Sequence, residues 1–467
     1  METGRRDFLK LIAAAAAAGA LPARAGSSAP GAKPAPVPSR PDILVILADD
    51  HRHDALGCAG HPYVRTPALD RVAAGGVRFT NACVTTSLCS PSRASYLTGR
   101  YPHQHGITSN AGRPLRPGNP TYPELLQAAG YETAFWGKWH LGPFPRPLSQ
   151  PGFDHWTVLN GQGSYAPNDL IVDGQVVHED RYITDALTAR ALEFLERPHE
   201  KPLLMVLSHK AAHAPFVPAA RHADLYAGEN PDLFWAPDED MSQKAVGTEQ
   251  ALYGTHRETV LDYYRCLAAV DESVAALDAA LEKSGRRDDT LVIYTSDNGF
   301  LLGEHGGLWD KRRAYEPALR VPLLVRWPRA LSSGGLCAEL VLNIDLLPSL
   351  LEAAGVKTPP GVQGRSWLPV ARGEPGRDAF LYEYFQDDGP VGSLVAVRTK
   401  RWKYIVPLDQ HGGRNARRPV ELYDLDADPG ELRNLAGDPA SAAARDEMEA
   451  ALVRQMDETG YIFCGTR

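Results

Sequence analysis

The chain has 467 residues, 43% of them hydrophobic and 23% charged, the make-up of an ordinary globular protein too long for one small core. Its net charge of −8 argues against nucleic acid as a partner. The six cysteines (Cys58, Cys83, Cys89, Cys266, Cys337 and Cys464) follow neither a zinc spacing nor a dense disulfide framework, and no internal repeat stands out.

The run Arg5-Arg6-Asp7-Phe8-Leu9-Lys10 resembles the bacterial twin-arginine export pattern. The Ala-rich stretch Leu11–Leu21 is too short and too weakly apolar for a stable membrane span. Ala23-Arg24-Ala25 fits a small-x-small cleavage site, so residues 1–25 are expected to be a signal peptide and 26–41 a linker. This address would place the mature protein in the periplasm or outside the cell.

Asp42–Ala48 is a continuous apolar run, as expected of a central strand covered on both faces. It ends in Asp49-Asp50, at the carboxyl end of a strand, where open α/β sheets place their sites. Two adjacent acids are unfavourable unless a cation joins them. His51 and His53 follow, and a His/Asp zinc site is conceivable there. Val77–Val84 predicts a strand leading into Cys89-Ser90-Pro91-Ser92-Arg93. Pro91 fits the first position of a helix, which puts Cys89 at a helix N-terminus, where free N–H groups favour an anion. Arg93 falls one turn on, on the same face. From the residues alone, Cys89 reads either as a buried thiol at a helix start or as a reactive thiolate.

Tyr101–Gly106 reads as a loop. Thr121 and Glu124 form a capping box opening a helix to Ala129, with Gly130 ending it. Thr133–Trp136 predicts a strand whose end carries Gly137-Lys138-Trp139-His140-Leu141-Gly142. On an extended segment Lys138 and His140 share one face. Leu141–Arg181, rich in Gly, Pro and Asn, reads as a long loop region shaping a pocket. Ile183–Glu196 is an amphipathic helix and Leu203–Ser208 a strand, followed by His209-Lys210-Ala211-Ala212-His213-Ala214-Pro215. His222–Gln250 reads as an irregular insertion, and Thr259–Leu281 as a helix. Leu291–Thr295 is another central strand, ending in Ser296-Asp297-Asn298-Gly299. Asp49, Asp50, Asp297 and Asn298 make an all-oxygen donor set, which suits calcium or magnesium more than zinc. Asp310-Lys311-Arg312-Arg313, a strand at Val321–Arg326 and a helix at Ile344–Ala354 follow. A composition change sets a boundary near Gly373, dividing a catalytic domain, 42–372, from a C-terminal subdomain, 373–467. In the latter Ala379–Tyr384, Leu394–Arg398 and Trp402–Val406 alternate like antiparallel strands, and Ala440–Glu458 predicts a terminal helix.

The string from Cys89 to Arg93, continued by Ala94-Ser95-Tyr96-Leu97-Thr98-Gly99-Arg100, resembles the signature of the type I sulfatases at every fixed position. The Gly137–Gly142 string and the closing segment Glu421–Leu435 resemble that family too, so the likeness covers nearly all of Asp42–Leu435. It implies an alkaline-phosphatase-like α/β fold: a large mixed sheet between helices, with a smaller C-terminal antiparallel sheet plus helix. It implies that a separate formylglycine-generating enzyme oxidises Cys89 to formylglycine, whose hydrate is the nucleophile. Asp49, Asp50, Asp297, Asn298 and residue 89 would hold one divalent cation, Ca2+ before Mg2+, and with Arg93 this cation would hold and acidify the hydrate. Lys138 and Lys311 would balance charge on the sulfuryl oxygens. His213 would give a proton to the departing alcohol, with His209 as the competing candidate. His140 would take a proton as the carbonyl reforms and sulfate leaves. His51 and His53 become rim residues, and Arg312 and Arg313 structural or rim charges.

The runs His209–Pro218 and Leu308–Pro328 look most like carbohydrate sulfatases, including those acting on 6-sulfated N-acetylglucosamine. The expected partners are a sulfated saccharide and, transiently, the formylglycine-generating enzyme and the twin-arginine export machinery. Two alternatives stand beside this reading. One is a phosphonate or phosphate ester hydrolase using the same nucleophile. The other is a non-catalytic, exported carbohydrate-binding relative, which predicts an eroded metal or sulfate position; none is eroded.

Overall fold

A computed structural model describes residues 40–142, 152–231, 244, 257–387 and 391–462. The signal segment, almost all of the linker, most of His222–Gln250 and Cys464 lie outside the described residues. One sheet has ten strands, of which β1, β2, β3, β7, β8 and β9 are the expected runs and β10 was not anticipated: β1 (Asp42–Ala48), β2 (Val77–Cys83), β3 (Glu132–Gly137), β4 (His155–Leu159), β5 (Asn168–Val172), β6 (Gln175–Glu179), β7 (Leu203–Ser208), β8 (Thr290–Ser296), β9 (Leu323–Arg326) and β10 (Gly335–Leu342). Their order is β10-β2-β9-β8-β1-β7-β3-β4-β5-β6. β8, β1, β7, β3 and β4 run parallel, so four neighbouring central strands end on the same side.

β1 is buried on both faces, which its unbroken apolar run requires. Ile43, Val45 and Leu47 join one core with the helix Cys89–Thr98 and the helix Leu346–Ala353. Leu44, Ile46 and Ala48 join the other, under the helices Pro67–Ala74, Ile183–Leu195 and Arg257–Lys283. The helix Tyr122–Ala128 opens on the expected capping box, with Thr121 N and Oγ1 donating to Glu124 Oε2 at 3.0 and 2.7 Å. Among the described residues no helix is long and apolar enough to cross a membrane.

A second, antiparallel sheet holds β11 (Ala379–Tyr384), β12 (Leu394–Thr399), β13 (Trp402–Pro407) and β14 (Glu421–Asp424), with the helix Ala442–Thr459 against it. A buried ion network joins it to the first sheet's lobe. Arg398 Nε and Nη2 donate to Glu316 at 2.7 and 2.8 Å, and Lys403 Nζ lies 2.8 Å from Glu316 and 2.6 Å from Glu431. His103 Nδ1 stands 2.8 Å from Glu383 Oε2, and its Nε2 3.0 Å from Thr459 O.

Four expectations are corrected. Leu141–Arg181 is not simply a loop region: it contributes β4, β5 and β6, and β5 and β6 are joined by Asp173-Gly174, both at positive φ (45° and 89°). A two-residue hairpin whose twist matches the flanking strands needs that geometry. Pro102–His105 forms one helical turn rather than a plain loop, with Pro102 at its start. The signature helix begins at Cys89, so Pro91 is its third residue and not its first. His51 is no rim residue. It is fully buried, with Nδ1 2.6 Å from Tyr294 Oη and Nε2 3.0 Å from Ala55 O, which makes it a structural histidine.

Candidate active site

The site lies at the carboxyl ends of β8, β1, β7 and β3, because each strand is followed at once by polar residues. Asp49 and Asp50 follow β1, Asp297 and Asn298 follow β8, His209 and Lys210 follow β7, and Lys138 follows β3. The signature helix points its N-terminus into this ring. Cys89 Sγ lies 2.9 Å from Lys311 Nζ, 3.7 Å from Lys138 Nζ and 3.8 Å from Asp49 Oδ1. Lys138 Nζ is paired with Asp49 Oδ2, and Lys311 Nζ is 2.5 Å from Asp50 Oδ1.

Arg93 ties the strand ends together. Its Nε and Nη2 meet Asp297 Oδ2 at 2.9 and 2.8 Å, and Nη1 donates to Lys138 O and Ser208 Oγ, both at 2.7 Å. Nη2 is 3.4 Å from Asp49 Oδ2. Its hydrogen bonds thus go to the acids and the strand ends, and it reaches Cys89 through its field. The fit depends on Gly137. A Cβ there would lie 1.8 Å from Ser208 O, and its φ of 116° disfavours any L side chain.

Asp49, Asp50 and Asp297 can offer carboxylate oxygens that all lie within 4.8 Å of one another. Asn298 Nδ2 donates to Asp50 Oδ1 at 2.6 Å and to Gly299 O at 2.8 Å, which leaves Oδ1 buried with no hydrogen-bond partner. An orphaned amide oxygen beside three carboxylates fits a hard divalent cation. Burial pushes the Asp50 carboxyl up to about 7 against Lys311, with Asp49 and Asp297 adding like charge. Burial would also raise Asp49, but Lys138, His213, Arg93 and Lys311 hold it well below the usual carboxylate range.

Burial pushes the Cys89 thiol up to about 11, against the pull of Lys138 and Lys311. The unmodified side chain is therefore a neutral thiol at pH 7, and the thiolate reading loses its basis. His213, Asp49 and Cys89 offer donor atoms within 4.8 Å of one another. His213 Nδ1 faces Ala214 O at 2.6 Å, which leaves Nε2 as the ring nitrogen not so engaged. His209 is wholly buried, and the charge it feels is Asp185. Of the two histidines, the structure brings His213 to the cysteine.

His140 reaches the pocket by a route the spacing did not anticipate. The chain leaves β3 at Gly137, and His140 takes a φ of 57°, so the Lys138–His140 segment is not extended. The His140 carbonyl accepts from Ser90 Oγ at 2.7 Å, its Nε2 lies 3.2 Å from Gln162 Nε2, and Nδ1 is buried without a partner. Burial, then Lys138 and Arg93, keep it neutral. Arg312 and Arg313 are structural, bound to Asp387 and Asp310. Ser90 in the signature helix, Ser208 at the end of β7 and Gln162 in the loop after β4 gave no sign of their roles along the chain, since a lone hydroxyl or amide carries no signal until its partners are brought to it. Lys210, an ionisable residue directly after an apolar strand, carried one.

A family model described as Sulfatase matches residues 41–356. The chain belongs to the sulfatase family. A second model, N-sulphoglucosamine sulphohydrolase, C-terminal, matches residues 303–458 of this sulfatase. It is 33% identical to the N-acetylglucosamine-6-O-sulfatase of Bacteroides thetaiotaomicron, over 90% of this chain and 86% of the relative. It is 31% identical to the ulvan-active sulfatase of Formosa agariphila, over 91% and 83%. A solved structure of a protein in complex with its substrate D-glucosamine-2-N,6-O-disulfate superposes with a TM-score of 0.80 at 32% identity, covering 90% of this chain and 98% of that one. The expected alkaline-phosphatase-like α/β architecture is the one observed, and as a sulfatase the protein is a hydrolase of sulfuric esters.

Proposed function

We propose that this sulfatase splits a sulfate ester of a carbohydrate, with a 6-sulfated glucosamine derivative as the leading substrate, and that residue 89 works as formylglycine. What carries the reading is the placement of one cysteine between two lysines, beside three carboxylates and an amide oxygen, at the ends of four parallel strands. Relatives that act on sulfated sugars support the substrate class.

Asp49, Asp50, Asp297, Asn298 and residue 89 would hold the cation, calcium before magnesium because calcium's looser coordination tolerates a mixed set of carboxylate, amide and hydrate oxygens. Together with the aldehyde hydrate at residue 89, the cation would supply an oxygen nucleophile polarised at neutral pH. Lys138 and Lys311 supply two buried positive charges to the sulfuryl oxygens, where a low dielectric strengthens their effect. His213, held through Nδ1 by Ala214 O, presents Nε2 to the leaving alcohol oxygen; burial and Lys138 push its pKa well down, so Nε2 gives a proton only from the imidazolium, which the negative charge of the bound ester favours. His140, neutral with an unengaged Nδ1, is placed to accept a proton at that atom. Arg93 pairs with Asp297 and Asp49 and holds both carboxylates in place. We further propose export by the twin-arginine route, supported by the Arg5-Arg6 motif.

Mass spectrometry of the peptide carrying residue 89, together with sulfate release from 6-sulfated N-acetylglucosamine, tests the proposal. An aldehyde and sulfate release are expected. An intact cysteine in fully active enzyme would defeat the nucleophile assignment. Faster turnover of an aryl phosphonate than of the matching aryl sulfate would favour the phosphonate hydrolase alternative.

A further inference from the structure

Lys210 is 2% exposed, and among the described residues it has no carboxylate within ion-pair distance. Its one close partner is the Tyr165 ring, whose centroid lies 5.2 Å from Nζ. The buried lysines of the site are matched, Lys138 by Asp49 and Lys311 by Asp50, as is Lys403 of the second sheet by Glu316 and Glu431. A buried ammonium without a counterion is costly, and a neighbouring aromatic face offsets little of that cost. Burial, then the charge of Lys138, pulls its pKa down to about 8, against Asp49 and Asp50, which act on it through space without an ion pair; it stays mostly charged at neutral pH.

Its position says what the charge faces. Lys210 O accepts from His213 N at 2.8 Å, and the next carbonyl, Ala211 O, accepts from Asp49 N at 3.0 Å. Tyr165, whose ring lies under the ammonium, donates its hydroxyl to His213 O at 2.8 Å. Lys210 and His213 therefore share one short loop and one aromatic support. The ammonium rests on the ring that supports His213, and its field reaches His213 as well as Asp49, Asp50 and Lys138, whereas Lys138 and Lys311 are the lysines that touch Cys89.

We propose that Lys210 is a specificity-determining residue that receives an anionic substituent of the leaving alcohol, a carboxylate or a second sulfate carried on the same sugar as the scissile ester. The inference rests on the carbohydrate sulfate reading given above. A hydroxyl would solvate the ammonium but not neutralise it, which is why an anion is the better match.

The test compares kcat/KM of the mature enzyme on N-sulfoglucosamine 6-sulfate and on N-acetylglucosamine 6-sulfate. The wild type is expected to favour the doubly charged sugar. Lys210→Met should lower the ratio of the two constants by about fivefold or more, while Lys210→Arg, which keeps the charge, should hold it near the wild-type value. A smaller change in Lys210→Met, or an equal loss on both sugars, overturns the inference. Should Lys210→Met not fold, Lys210→Gln is measured against Lys210→Arg by the same criterion. A wild type that splits neither sugar fails the substrate reading itself, before any variant is made, and the inference falls with it.

Discussion

Lys311 Nζ stands 2.9 Å from Cys89 Sγ and 2.5 Å from Asp50 Oδ1, so one ammonium touches both the reactive position and an acid of the proposed cation site. Any change at residue 89 is therefore felt by the charges around it.

Cys89→Ala is expected to lower turnover by roughly 10⁴-fold or more. The melting temperature should stay within a few degrees, since a small buried side chain gives way to a slightly smaller one. Cys89→Ser should stall after the first transfer. Steady turnover by Cys89→Ser would count against a reaction that needs the carbonyl to reform.

Chelation of divalent cations should abolish sulfate release, and calcium should restore it better than magnesium. Asn298→Ala should weaken the cation's affinity, measured by isothermal titration calorimetry. Full activity after exhaustive chelation would remove the cation from the reading.

Gly137→Ala should destabilise the fold by about 2 kcal/mol or more, because it adds both a positive-φ strain and a clash with Ser208 O. Thermal denaturation reads the stability loss. Activity should fall with it, since Lys138 is the next residue.

His103 carries a pH-dependent share of stability. Burial would lower its pKa, but the hydrogen bond and charge of Glu383 raise it above the ordinary 6.5. The folded state therefore holds the proton more tightly. The stabilisation is complete below the ordinary value and is lost as pH rises through the raised one. His103→Gln should cost more in melting temperature at about pH 5.5 than at about pH 8.5. An equal cost at both would show that the imidazole's charge contributes nothing.

Glu316→Gln should destabilise the protein by about 3–5 kcal/mol, since Arg398 and Lys403 would lose a shared buried counterion. Denaturant titration measures this. A cost near zero would mean that Glu431 alone satisfies both cations.

Much of this was legible along the chain, for physical reasons. β1, β7 and β8 are buried on both faces, so their sequences are unbroken apolar runs, and the polar residues after them stand out. The capping box at Thr121 is a local device and reads locally. The strands β4 to β6 were missed because they are short, partly polar and set among glycines and prolines. Their one clear sign was Asp173-Gly174, a hairpin dipeptide. His51 was misjudged because its partners, Tyr294 and Ala55, become visible only in three dimensions. Arg93 was read as a site residue, but its partners, 45, 115 and 204 positions away, likewise become visible only in three dimensions.

Cys89 has no exposed surface once the four strand ends close around it. A sulfate ester needs to bring only its small head to this position, but a modifying enzyme must grip the peptide around the thiol, and all ten residues of the helix Cys89–Thr98 are buried. The proposed conversion of this thiol thus has a deadline, set by the chain's own collapse: it must be finished on a nascent or unfolded polypeptide. Folded, unmodified protein offered to the modifying enzyme should keep its thiol, while the free peptide spanning residue 89 should lose it.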